Sequence, residues 1–244
     1  MFERSVKTLN QMAPVFQRLN IDVPIKRSFE FAFWSKEWLR RKFAAPGEPF
    51  LGVYEPCFTA LVDLRLEDFA GKRILDVGCG PQGTLEWADM AAERIGLDPL
   101  VDQYRLLGID SHKTKYVKAP SEHIPFRDGY FDIVSCFNAL DHVDDVDETI
   151  GEIKRVLAPG GLLLLGVDVN HSPTMAEPVT LRWDIVDKFK PELAPVFLRR
   201  CKKTSSYVDL LKPDTDFDEQ TCGDQPGVLI VKFKKSTNPA APPN

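Results

Sequence analysis

Ile74-Leu75-Asp76-Val77-Gly78-Cys79-Gly80-Pro81-Gln82-Gly83 governs how the rest of this chain reads. Ile74, Leu75 and Val77 form a short apolar run that predicts a buried strand, and the glycines after it stop that strand abruptly. A glycine has no Cβ, so the chain there can take a positive φ and let a ligand lie on bare backbone. Residues 84–90 are predicted to open a short helix whose first N–H groups face the loop. Gly78, Gly80 and Gly83 satisfy G-x-G-x-x-G, a spacing shared with dinucleotide-binding folds. Asp76 narrows the choice, because a carboxylate at the strand end favours a cationic ligand and would repel a pyrophosphate.

Working outward, residues 94–97 predict a second strand ending at Asp98, and 100–107 a helix closed by Gly108. A third strand is expected over 115–119 and a fourth over 130–137, the latter a continuous apolar run of the kind a central parallel strand needs. Ile150, Ile153, Val156 and Leu157 have helical spacing behind the acidic run Asp144-Asp145-Val146-Asp147-Glu148, whose charge suits a helix N-terminus. Pro159-Gly160-Gly161 turns the chain into a fifth strand over 162–169. Leu181, Ile185, Val186 and Phe189 suggest one more helix, and 195–203 and 228–234 the last two strands. Strands separated by helices imply crossover connections and a parallel sheet with helices on both faces.

Ahead of the first strand, Val6, Leu9, Val15, Phe16 and Leu19 have helical spacing interrupted by Pro14. Residues 28–43 are the most aromatic segment, flanked by basic residues; they read as a lid over a pocket in preference to a membrane-surface helix. Residues 56–69 predict a single helix with the stripe Phe58, Leu61, Val62 and Leu66, begun by Pro56 and ended by Gly71. The expected division is a helical cap over 1–70, a ligand-binding domain over 71–235 and a disordered tail over 236–244.

The motif Leu75-Asp76-Val77-Gly78-Cys79-Gly80 resembles the first motif of the class I S-adenosylmethionine-dependent methyltransferases. Three more segments follow in that family's order: Ile95-Gly96-Leu97-Asp98-Pro99, then residues 121–134 with Ser121-Glu122 and Tyr130-Phe131-Asp132, then Leu157-Ala158-Pro159-Gly160-Gly161. The resemblance implies a Rossmann-like, doubly wound, mostly parallel seven-stranded sheet whose last two strands form an antiparallel pair at one edge. It implies S-adenosyl-L-methionine as cofactor, held by the Gly78/Gly80 loop, with Asp98 on the ribose hydroxyls and Asp76 toward the amino group. Ser121 and Glu122 would lie beside the adenine, and Phe137 and Asn138 beside the methionine part. Pro120 departs from the pattern, standing where related chains carry an acid for the adenine.

At 244 residues the chain suits one α/β domain with a modest elaboration. It is 43% apolar and 27% charged, the balance of a globular protein. A net charge of −5 with no basic block argues against nucleic acid, whose phosphates need a positive surface. The five cysteines are odd in number and include no C-x-x-C pair, which argues against a disulfide framework and a zinc site and fits a reducing cytoplasm. No run has signal-peptide or membrane-spanning character, so no stable membrane insertion is expected, while a homodimer is left open.

Methyl transfer to a hydroxyl benefits from a base near neutral pKa or from a metal that acidifies the acceptor. The two candidate bases are His171, after the fifth strand, and His142, after the fourth. Asp141, Asp168 and Asn170 resemble the magnesium ligands of catechol-type O-methyltransferases, with the later two separated by one residue instead of adjacent. A metal-free mechanism is preferred. The leading function is methyl transfer to a small-molecule acceptor at oxygen or nitrogen. The alternatives are a silent cofactor-binding subunit and, less favoured, an NAD(P)-dependent oxidoreductase.

Overall fold

The computed structural model describes residues 22–217 and 222–237. Seven strands form one sheet: β1 (Arg73–Val77), β2 (Glu93–Leu97), β3 (Lys115–Val117), β4 (Phe131–Phe137), β5 (Leu157–Val169), β6 (Leu193–Lys202) and β7 (Gly227–Lys235). Their order is β3-β2-β1-β4-β5-β7-β6. The first five run parallel, and β7 pairs antiparallel with both β5 and β6. The strand order reverses between β1 and β4, which opens a crevice at their carboxyl ends. This is the expected doubly wound sheet with its antiparallel edge.

Alternation along the strands feeds two cores. Leu75, Val77, Val134, Cys136, Leu163, Leu165 and Val167 pack on one face, and Ile74, Ile133, Leu164, Val228 and Ile230 on the other. At about 25 cal/mol per Å2 of apolar surface, such two-sided burial is the main force holding the strands in register. β6 takes the outer edge, where Pro195 is tolerated because it interrupts only one ladder, and the register shifts beside it.

The helical layer is thinner than the periodicity predicts. One long helix, α1 (Asp22–Ala44), lies ahead of the sheet. The segment 56–69 breaks into α2 (Glu55–Phe58) and two 3-10 turns, because Asp63 adopts a left-handed φ of 53° between them. Phe58, Leu61 and Val62 are buried as expected, but Leu66 faces out and Phe69 replaces it. Residues 84–90 fold as successive turns, with Glu86 N–H donating to Gly83 O and Ala88 N–H to Leu85 O, so no regular helix follows the glycine loop. The fifteen residues between Val77 and Glu93 must return to β2, and buried Leu85 and Ala88 are packed without a second helical turn. α3 (Val101–Tyr104) continues as a 3-10 turn closed by Gly108 at φ 98°. α4 (Val146–Val156) is capped by Asp145, whose carboxylate accepts the Glu148 N–H at 2.9 Å. The helix expected around 181–189 is a 3-10 run, Trp183–Phe189.

The spacing of Val6, Leu9, Val15, Phe16 and Leu19, and the tail beyond Thr237, lie outside the described residues. No helix among the described residues is long and apolar enough to cross a membrane.

Candidate functional site

The glycine loop is built by close packing. Gly78 sits at φ 70°, and a Cβ there would fall 2.4 Å from the Ala139 Cβ, so β1 and the loop after β4 meet only because the side chain is missing. The Gly78 N–H donates to Leu97 O at 2.8 Å, tying the loop to the end of β2. One residue on, Asp98 closes the same corner: its two carboxylate oxygens accept the Gly80 N–H at 3.1 Å and the Leu100 N–H at 2.9 Å. Each oxygen retains a lone pair for a ligand. Asp98 is almost fully buried, and that burial, followed by the nearby Glu30 carboxylate, pushes its pKa up to about 7.

A cavity opens over these strand ends. Gly78, Asp98, Ser121, Glu122 and Asn138 line it together with His142 and Asp144. Five of the residues expected around a cofactor therefore converge there. Ser121 and Glu122 are also structural: the Ser121 hydroxyl meets that of Thr149 at 2.9 Å, and Glu122 accepts the Asp144 and Asp145 N–H groups at 2.6 and 2.9 Å. Asn138 takes a left-handed φ of 51° and donates its N–H to Gly166 O.

Three expectations land elsewhere. Asp76 does not line the cavity; it lies beneath the loop, accepting the hydroxyls of Ser135 (2.6 Å) and Thr84, and burial raises its pKa to about 6. Phe137 points to the opposite core, packed edge-on against Phe58 and Tyr207 at centroid distances of 5.2 and 6.0 Å. Gly80 is roofed by Trp34, which a Cβ would approach to 3.2 Å.

Trp34 belongs to α1, which spans the mouth of the cavity. Lys26, Glu30, Trp34 and Trp38 recur every four residues and so share one face. Lys26 donates to His142 O at 2.7 Å and pairs with Asp144; Trp34 and Trp38 pack beside Phe50, Leu100 and Tyr104. Lys26, Arg27 and Glu30 all line the cavity, and none was singled out by sequence reasoning. The four-residue recurrence was the available signal.

Beyond the cavity lies a polar cluster. Asp141 is fully buried, with neither oxygen in a well-formed hydrogen bond. His171 Nε2 stands 3.4 Å from one of its oxygens, and His142 Nε2 stands 4.0 Å from the other and 4.0 Å from Glu177. The Asp141 carboxylate raises the His171 pKa, and the Ser172 carbonyl, 3.0 Å from its Nδ1, adds to it. His171 therefore faces Asp141 through Nε2 and the Ser172 carbonyl through Nδ1. His142 lines the cavity and neither of its nitrogens has a hydrogen-bond partner. Glu177 carried no sequence signal; the loop after β5 brings it in, with Val179 N–H donating to Asp141 O.

In the set Asp141, Asp168 and Asn170, the two later residues have partners of their own. Asp168 is paired with Lys203 at 2.6 Å, and Asn170 donates its side-chain amide to Gln225 O. The group among the described residues with ligand atoms close enough to share a metal is Asp141, His142 and Glu177, all within 4.8 Å of one another.

The chain resembles known proteins in sequence and in fold. A family profile described as "Methyltransferase domain" matches residues 75–165. The ubiquinone biosynthesis O-methyltransferase of Xanthomonas oryzae pv. oryzae is 31% identical over 174 residues, 69% of this chain and 67% of that protein. The chloroplastic tocopherol O-methyltransferase of Arabidopsis thaliana is 29% identical over 151 residues, 58% of this chain and 42% of that protein. The crystal structure of an S-adenosylmethionine-dependent methyltransferase from Mesorhizobium loti superposes with a TM-score of 0.53 at 19% identity, over 75% of this chain and 99% of that one. The switch-point crevice, the glycine loop pinned to a strand-end acid and these matches make the chain a member of the class I S-adenosylmethionine-dependent methyltransferase family.

Proposed function

We propose that the cavity over β1, β2 and β4 holds S-adenosylmethionine and that the chain methylates a small molecule at oxygen or nitrogen. The observation that carries this is Asp98, buried at the strand end, fixed by two backbone N–H groups and facing a cavity with acceptor capacity to spare. Gly78 offers the bare backbone on which the methionine part would lie. When bound, the cofactor supplies a methyl group on a positively charged sulfur, and the protein orients the acceptor and receives its proton.

His142 suits the proton-accepting role. It borders the cavity, neither nitrogen is committed, and Asp141 and Glu177 beside it would stabilise the charged ring. His171 stands behind it, its Nε2 3.4 Å from Asp141. The O-methyltransferase relatives favour a hydroxyl acceptor, and phenols of quinone-precursor type are the first class to assay. The intact glycine loop and the free base favour an enzyme over a silent subunit, and the match to a methyltransferase profile disfavours an NAD(P)-dependent reading.

Binding is tested by calorimetry and thermal shift with S-adenosylmethionine, its demethylated product and NAD. Both sulfur compounds should bind and NAD should not. Asp98→Ala should weaken the first two at least about tenfold, as expected for lost charge-assisted hydrogen bonds. Unchanged affinity in a folded variant would remove Asp98 from the site.

A further inference from the structure

Two carboxylates face the cavity, one from its floor and one from its roof, and among the described residues no cation pairs with either. Asp98 closes the floor; Glu30, on α1, lines the roof and accepts the Tyr104 hydroxyl at 3.3 Å. The basic neighbours of Glu30 are engaged elsewhere: Lys26 bonds to His142 O and Asp144, and Arg27 stands 3.6 Å from Asp144. Among the described residues neither Glu30 nor Asp98 takes part in an ion pair. Glu30 is the charged group that acts most strongly on Asp98. An uncompensated acid pair across a low-dielectric cavity is unfavourable until something positive enters.

We infer that Glu30 completes the cofactor site from the cap helix and makes it select the charged sulfonium cofactor over its neutral thioether product. The inference rests on the proposed placement of the cofactor in this cavity. S-adenosylmethionine carries one more positive charge than S-adenosylhomocysteine, and the two otherwise differ only by the methyl group on sulfur. Hydrogen bonds from Asp98 to a ribose would serve both equally, whereas the field of Glu30 acts on the extra charge. Losing that charge on methyl transfer would leave the acid pair unbalanced again, which favours product departure as α1 lifts. Exposure does not argue against the role, since Glu30 is half-buried and faces the cavity, where screening is weaker than at the surface.

The experiment is calorimetry on the full chain with S-adenosylmethionine, S-adenosylhomocysteine and sinefungin, which carries an ammonium group near the sulfonium position. Glu30→Gln should weaken S-adenosylmethionine and sinefungin about fivefold more than S-adenosylhomocysteine, the order expected when one partly screened unit charge is removed from the cavity wall. Glu30→Asp keeps the charge and should keep most of the selectivity. Equal losses for all three ligands in Glu30→Gln would reduce Glu30 to a hydrogen-bonding contact, and no loss would remove it from the site; either result overturns the inference. Failure of all three ligands to bind the wild-type chain would instead defeat the placement of the cofactor.

Discussion

Asp98 is under two opposed demands. Burial and the Glu30 carboxylate favour its neutral form, while the Gly80 and Leu100 N–H groups favour the charged form, and the balance lies at about 7. A hydroxyl-bearing cation binds the charged form better, so cofactor affinity should fall as pH drops below about 7 and level off above it. Calorimetry across pH 6–8.5 checks this, and Asp98→Asn should flatten the profile. The two histidines should separate in the same spirit. His142→Ala is expected to slow turnover on the order of a hundredfold, the lower range for a lost general base. His171→Ala removes the ring 3.4 Å from buried Asp141 and should cost about 2 kcal/mol of stability, the size expected for a buried polar group left without a partner, read by denaturant melts. Addition and removal of a chelator should leave turnover unchanged; abolition by chelation with rescue by a divalent ion would make Asp141, His142 and Glu177 metal ligands.

At the scale of elements, the glycine loop and α1 divide the work of making a pocket. Gly78 lets β1 approach the loop after β4, and an alanine there meets both a positive φ and a Cβ contact of 2.4 Å. Gly78→Ala should therefore lower stability by about 2 kcal/mol and weaken cofactor binding in parallel. α1 contributes little to the sheet core; it is held by Lys26, by the Glu30–Tyr104 contact and by Trp34 and Trp38. Deleting residues 1–45 is expected to leave a folded domain that binds the cofactor weakly and turns over poorly. Full activity in the truncated chain would show that α1 serves something other than the pocket.

For the molecule as a whole, the buried acids impose a pH dependence of their own. Asp76 and Asp98 have folded-state pKa values of about 6 and about 7, above the ordinary aspartate value of ~3.9. The folded state thus binds more protons than the unfolded state between roughly pH 4 and 7, and stability declines as pH rises through that window. Without ligand, the protein should melt at a higher temperature near pH 5 than near pH 8. Saturating S-adenosylmethionine should narrow the gap, because it favours the charged form of Asp98 at high pH. A melting temperature that climbs steadily from pH 5 to pH 8 would contradict both assignments.

The sequence determined the sheet. Periodicity and apolar runs place β1 through β5, and Gly78 and Gly108 punctuate them, because each signal acts within a few residues of itself. Pro159-Gly160-Gly161, expected as a turn ahead of the fifth strand, lie within β5, where its pairing with β4 shifts register. The sequence also placed Gly78 and Asp98 at strand ends, where they line the cavity. Contacts made at long range were not legible. Asp76 and Phe137 sit one step from the cavity, yet Asp76 turns to Ser135 and Phe137 to Phe58, since the partner that claims a side chain lies on another strand or helix. Asp168 was drawn from a metal set by Lys203, 35 residues later. Glu30 and Glu177 enter from a helix before the sheet and a loop after β5; only the folding of those segments over the strand ends sets one against Asp98 and the other beside His142. Local pattern decides which elements exist, and charge meets charge only after the chain has closed around them.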